Sequence, residues 1–229
     1  MSLRSLFKPR SLLLAMLGTL AALNLSAAGC NIIGAGIGGM AESYRRSVPR
    51  SVPADYLGLK GKSFAVLVSA DRLIESQYPG IGSELIGRIS ERLKENAEAT
   101  GYVPPMTVIG YIANNPSWQT RTHSELAKDL GGVQRLIIIE LTDFATNEAG
   151  NQYLWDGVAA GTLGLAETDG PLADEFAYQK SIRVKFPDKS GTSNADMSRD
   201  LVVGTLLSRF VDRSTWLFYT HDEMYYITY

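Results

Sequence analysis

Leu136-Ile137-Ile138-Ile139-Glu140-Leu141 is the stretch on which the fold turns. Large apolar residues follow one another here instead of alternating with polar ones. A strand that reads this way has both faces covered, as a central strand of a layered sheet does. Upstream, Ser63 to Ser69 (S-F-A-V-L-V-S) is a second short apolar run, bounded by Gly61-Lys62 and Asp71-Arg72. Between the two, Ile81, Leu85, Ile86, Ile89 and Leu93 recur at helical spacing, with Glu84, Arg88, Glu91, Arg92 and Lys94 on the other side. Pro79-Gly80 opens that helix and Gly101 closes it. Met106 to Ile112, after Pro104-Pro105, reads as another strand. Thr122 is placed to cap a helix through Leu130, and Gly131-Gly132 stops it. The order strand, helix, strand, helix, strand predicts βαβ units.

Downstream the pattern changes. Tyr153 to Glu167 and Phe176 to Phe186 are longer β-like runs. In the second, Tyr178, Lys180, Ile182, Val184 and Phe186 alternate with Ala177, Gln179, Ser181, Arg183 and Lys185, as in an antiparallel strand with one solvated face. The first is rich in small residues (Ala159, Ala160, Gly161, Gly164), which predicts close packing against it. Asp196 or Asn194 can cap a last helix, with Met197, Leu201, Leu206, Phe210, Val202, Leu207 and Val211 as its apolar face. Trp216 to Tyr219 reads as a closing strand, and Tyr225, Tyr226 and Tyr229 form an aromatic tail suited to an interface. The predicted fold class is α/β (α+β): a mixed sheet with βαβ units, then two long antiparallel strands and a C-terminal helix.

The beginning of the chain carries an address. Arg4, Lys8 and Arg10 precede an apolar stretch, Leu12 to Leu25, of fourteen residues. That is shorter than the roughly 20 a spanning helix needs. Small residues follow and end in the one cysteine, Leu25-Ser26-Ala27-Ala28-Gly29-Cys30. These are the three parts of a secretory signal. A lone cysteine in an exported chain has no intramolecular disulfide partner and needs another use. The segment resembles the lipobox of bacterial lipoproteins, with Ala27 where Leu is usual. The resemblance implies acylation of Cys30, which becomes the first mature residue. Asn31, where Asp would favour retention in the inner membrane, implies an outer-membrane lipoprotein facing the periplasm. In a single-membrane organism it implies the outer face of the cell membrane.

The organisation predicted is then a signal peptide (1–29), a tether (30–59) and a single globular domain (60–229). Gly34, Gly36, Gly38, Gly39, Pro49, Pro53 and interspersed serines mark the tether, whose flexible reach would be about 30 Å. Gly34-Ala35-Gly36-Ile37-Gly38-Gly39 within it imitates a dinucleotide fingerprint. It lacks the preceding buried strand, a helix running past Pro49, and an acid near residues 57–62, so no cofactor is expected. The signal holds three basic and no acidic residues, so the mature formal charge falls from −2 to −5. With no block of basic residues, no nucleic-acid partner is expected.

Catalytic and metal chemistry finds little support. His123 and His221 have no His or Cys nearby, so no metal site of zinc type is expected. His221-Asp222-Glu223 offers at most weak cation binding. Cys30 is used by the lipid, and Ser124 beside His123 fits a helix start. Glu140 and Asp143 flank the end of the central strand, where two carboxylates can serve as acid and base. Together with the lipobox, the F-A-V-L-V strand, the L-G-G-V-Q-R-L-I-I-I-E-L segment and the Y-L-W-D-G start of the next run resemble the small α/β module of certain envelope lipoproteins. These act in curli secretion, activate penicillin-binding proteins, or belong to the Tol system. The resemblance covers residues 60–213 and implies a non-enzymatic, membrane-held adapter or assembly factor with a protein partner in the envelope. The rivals are a subunit of an oligomeric secretion or transport ring, which light scattering would reveal, and a small carboxylate-dependent hydrolase, which needs a pocket lined by paired acids.

Overall fold

The computed structural model describes residues 48–224. The signal, Cys30, the glycine-rich run and Tyr225, Tyr226 and Tyr229 lie outside the described residues. The chain divides into two units. Of the smaller, residues 48–50 and 223–224 are described, and Arg50 there pairs with Glu223 at 3.4 Å. The larger runs from Ser51 to Asp222 and holds the core.

The elements in chain order are β1 (Arg50–Val52), β2 (Ser63–Ala70), α1 (Arg72–Gln77), α2 (Ile81–Asn96), β3 (Gly101–Tyr102), α3 (Pro105–Asn114), a 3-10 turn (Trp118–Thr120) and α4 (His123–Asp129). They continue with β4 (Arg135–Ala145), β5 (Gly157–Glu167), β6 (Phe176–Phe186), α5 (Arg199–Thr215) and β7 (His221–Glu223). Five strands form one mixed sheet in the order β3-β2-β4-β5-β6, and β1 and β7 make a separate two-stranded sheet. β4, which holds the apolar Leu136–Ile139 run, is the middle strand of the five. It runs parallel to β2 and antiparallel to β5, and β6 is antiparallel to β5.

Register sorts the side chains onto two faces. Ile137, Ile139 and Leu141 lie beside Leu165, Leu163 and Gly161, and then Ile182 and Val184. All but Gly161 are core side chains, and this face carries α5. A Cβ on Gly157 would stand 2.8 Å from Leu206 Cδ1, and one on Gly161 3.2 Å from Phe210 Cζ. The small residues of β5 are what let α5 approach. α2 packs beside α5 and on β2, burying Ile81, Leu85, Ile86, Ile89 and Leu93.

Local chemistry explains the boundaries. The Glu75 carboxylate accepts hydrogen bonds from the Gly80 and Gly82 amides at 3.1 and 3.2 Å, satisfying donors at the start of α2. Thr122 and Glu125 form a reciprocal capping box on α4. Gly131, at φ 92°, ends α4, with Gly132 N donating to Ala127 O at 2.8 Å, a Schellman closure.

Five expectations are corrected. Met106 to Ile112 is not a strand but lies within α3. Its β-branched residues suggest a strand, yet Pro105 at the first helical turn is preorganised for a helix, and Val108 is buried while Met106 is exposed. The parallel partner on the outer side of β2 is the two-residue β3. Residues 153–156 precede β5, because the Asn151 side chain accepts from the Tyr153 and Leu154 amides and holds a turn. Ser198, not Asp196 or Asn194, caps α5; the Asp196 carboxylate is taken up by Ser193. Met197 therefore precedes α5, and Leu201 is 53% exposed. Trp216 to Tyr219 forms no strand, since α5 runs on to Thr215 and the chain turns there, so that Phe218 fills the core.

The end of the stretch read as tether is built into the larger unit. Leu59 is fully buried and Tyr56 packs against Tyr178 and Phe218. The Tyr56 hydroxyl donates to Glu167, and the Asp55 carboxylate accepts from Tyr178 and Lys180, both at 3.1 Å. Gly/Pro composition hides this, because two side chains suffice to dock a short segment. Burial, then the Glu167 carboxylate, pushes the Tyr56 phenol up to about 12. A group with a raised folded-state value stabilises fully below its unfolded value, roughly 10 for tyrosine, and loses that contribution as pH rises toward the folded value. Tyr56→Phe is expected to cost about 1–2 kcal/mol at pH 7. It should also make melting less sensitive to pH between about 10 and 12. Thermal melts of both proteins across that range check it.

Candidate functional site

The opposite face of the sheet is only partly covered. Register places Ser69, Glu140, Thr162 and Ser181 in one row across it, with Ile138, Gly164 and Gln179 in the next. Trp118 and Leu126, from the 3-10 turn and α4, cover the β2 side. Over β5 and β6 this face is thinly covered: His123, at the start of α4, reaches Phe176 at the start of β6, while Gln179, Ser181, Arg183 and Lys185 are exposed. It presents Ala160, Thr162, Ser181 and Arg183, with Thr142 from β4.

Two cavities open on this face. One, of about 690 Å³, lies where β4 ends and β5 begins, and Asp71, Asp143, Glu148, Asp156, Arg183 and Lys185 line it. Its acids do not converge: among the described residues no group of three or more His, Cys, Asp or Glu is placed to hold a metal ion. The Asp71 carboxylate is also occupied, accepting from Leu73 N at 2.7 Å as the cap of α1.

The other cavity, of about 370 Å³, sits over the end of β2, at Ser69, and the middle of β4, at Ile138 and Glu140. Trp118, Leu126, Ile138 and Phe176 give it apolar walls; Glu140, Gln119 and Arg121 add polar groups. The Phe176 ring lies over Gly164, where a Cβ would come within 2.5 Å of it, and stacks on His123 at 4.5 Å. Close packing on the glycines of β5 is thus realised on both faces, by α5 on one and by Phe176 on the other.

The residues singled out from sequence separate. Glu140 lines the smaller cavity and Asp143 the larger, on either side of a register shift after Leu141. A carboxylate pair for acid–base catalysis is not assembled. His123 and Ser124 do not form a nucleophile pair: Ser124 donates from its amide and hydroxyl to Asp174 at 2.8 and 2.6 Å. Those hydrogen bonds hold the Asp174 carboxyl below its ordinary range. His123 Nδ1 is buried with no hydrogen-bond partner among the described residues. His221 stacks flat on Trp216 at 4.4 Å, a packing role. Sequence reasoning missed the smaller cavity, because Trp118, Glu140 and Phe176 come from three separate segments. The available signal was Gly164, a gap that an aromatic ring can fill.

No family model matches the chain, and no curated protein matches it in sequence. Several solved structures are distantly similar to it. The PelC dodecamer from Paraburkholderia phytofirmans is 11% identical over 75% of this chain and 96% of its own, with a TM-score of 0.45. Lipoprotein GNA1162 from Neisseria meningitidis is 13% identical over 66% and 96%, at 0.44. Protein XCC0632 from Xanthomonas campestris is 11% identical over 74% and 90%, at 0.41. No described helix is long and apolar enough to cross a membrane.

Proposed function

We propose that the protein is a non-enzymatic adapter or assembly factor of the bacterial envelope. It is held at the membrane through acylated Cys30, faces the periplasm, and docks on a protein partner through the open side of its sheet. The observation that supports docking is the asymmetry of the two faces. α2 and α5 cover one, whereas on the β5–β6 half of the other His123 at the start of α4 reaches Phe176, and Gln179, Ser181, Arg183 and Lys185 stay exposed. Ala160 and Thr162 keep that surface low enough for another backbone to approach.

Two experiments test the parts separately. Cys30→Ala is expected to leave an unprocessed precursor that takes up no lipid label; normal maturation of that variant would remove the anchor from the proposal. A photo-crosslinking residue at position 162 should capture a defined envelope protein in living cells, while the same residue at Glu95, on the outer side of α2, should not. Equal capture at both positions, or none at 162, would overturn docking through this face.

A further inference from the structure

We propose that the 370 Å³ cavity over the end of β2 and the middle of β4 binds an aliphatic amine, a primary ammonium carried on a short hydrocarbon stem. The inference is independent of the docking reading and stands on the make-up of the cavity. Glu140 is exposed at its rim, and its carboxylate makes no hydrogen bond or ion pair with any described residue. A carboxylate beside apolar walls is a partner for a cation, and charge-assisted hydrogen bonds are the stronger kind.

Arg121, the one Lys or Arg among the described residues that line the cavity, does not compete. Its guanidinium is held by Asp129, by the Tyr111 hydroxyl at 3.1 Å and by Glu125 at 3.7 Å. Those two acids outnumber it, and Asp174 lies one hydrogen bond from Ser124, next to His123. Arg121 is therefore neutralised by its own carboxylate partners and leaves Glu140 as the uncompensated charge on the cavity lining, which favours a cation over an anion there. Ile138, Leu126 and the Phe176 ring supply the apolar wall along which a methylene stem can lie with its ammonium at Glu140. Gln119, whose amide donates to Ser69 Oγ at 2.6 Å, leaves its carbonyl oxygen as a second acceptor on the same wall. His123 Nδ1 adds a polar atom without a partner among the described residues.

The same chemistry is offered by a free alkylamine and by a lysine side chain of a protein. Isothermal titration of the full-length protein with pentylamine, pentanol and pentanoate tests the site. Pentylamine is expected to bind saturably and at least about tenfold tighter than pentanol, a difference of about 1.4 kcal/mol, and pentanoate more weakly than either. Glu140→Gln should bring pentylamine down to the level of pentanol without moving the melting temperature, since Glu140 is exposed. Phe176→Ala should weaken pentylamine and pentanol together. N-acetyl-lysine methylamide distinguishes the sources: binding as tight as pentylamine indicates a protein lysine, and selective loss indicates a free amine. No saturable pentylamine binding, or binding unchanged in Glu140→Gln, would overturn the proposal.

Discussion

Arg135→Ala is expected to destabilise the folded protein by about 2–4 kcal/mol, from the two carbonyls that lose a donor, at about 1–3 kcal/mol for each acceptor left unsatisfied. Arg135 is 6% exposed at the start of the central strand. Its Nε donates to Gly58 O at 2.9 Å and its Nη1 to Gln134 O at 2.6 Å, and the guanidinium pairs with Asp169 and lies 3.7 Å from Glu167. Four parts of the chain meet on one planar fork: the segment leading into β2, β4, the end of β5, and the turn after it. Removing the fork leaves two carbonyls without these donors, while Asp169 keeps Lys62 at 2.7 Å. Arg135→Lys should recover only part of the loss, because an ammonium cannot reproduce the fork. Arg135→Met should recover packing but no donors.

The pH dependence gives a second readout. Lys62 first, then Arg135, holds the Asp169 carboxyl below its ordinary range. The stabilisation this provides is present at neutral pH and is lost as pH falls through the lowered folded-state value, below about 4. Arg135→Ala should therefore flatten the acid limb of the stability curve as well as lower its plateau. Chemical denaturation at pH 7 and at pH 3 measures both; an unchanged acid limb would mean that Lys62 alone sets Asp169.

Leu206→Ala is expected to cost about 2–5 kcal/mol. Leu206 is fully buried in α5, with its Cδ1 over Gly157, and neither Gly157 nor the neighbouring Phe186 carbonyl can close the space a truncation leaves. At roughly 2–4 °C for each kcal/mol in a protein of this size, the melting temperature should drop by several degrees at least. Leu201→Ala is the control. Both leucines belong to the apolar face read from sequence, yet Leu201 is 53% exposed, so its truncation should stay within about 0.5 kcal/mol. Equal losses at the two positions would place the buried stripe of α5 differently.

The local signals of this chain were strong where a residue type admits a single use. The all-apolar Leu136–Ile139 run means a strand covered on both sides, and β4 is the middle strand of five. The spacing of Ile81 to Leu93, the Thr122 cap and the Gly131-Gly132 stop mark helices through backbone geometry alone, and alternation in Phe176–Phe186 marks an antiparallel strand with one wet face. These are properties of neighbours in sequence, so the α/β class and the long antiparallel pair follow from composition and period.

Tertiary structure decided what depends on residues distant in the chain. The 105–114 segment has a period too short to separate strand from helix, and only its packing with α2 and β2 settles it as α3. Tyr56 and Leu59 lie in a stretch whose glycines and prolines read as linker, but Glu167, Tyr178 and Phe218 wait for them. Glu140 and Asp143 are three residues apart, yet a register shift after Leu141 sends them to different cavities. The smaller cavity needs Trp118, Glu140 and Phe176 at once. A sequence can show that Gly164 leaves room for a ring; only the folded sheet shows which ring fills it and which carboxylate lines the same cavity without a partner among the described residues.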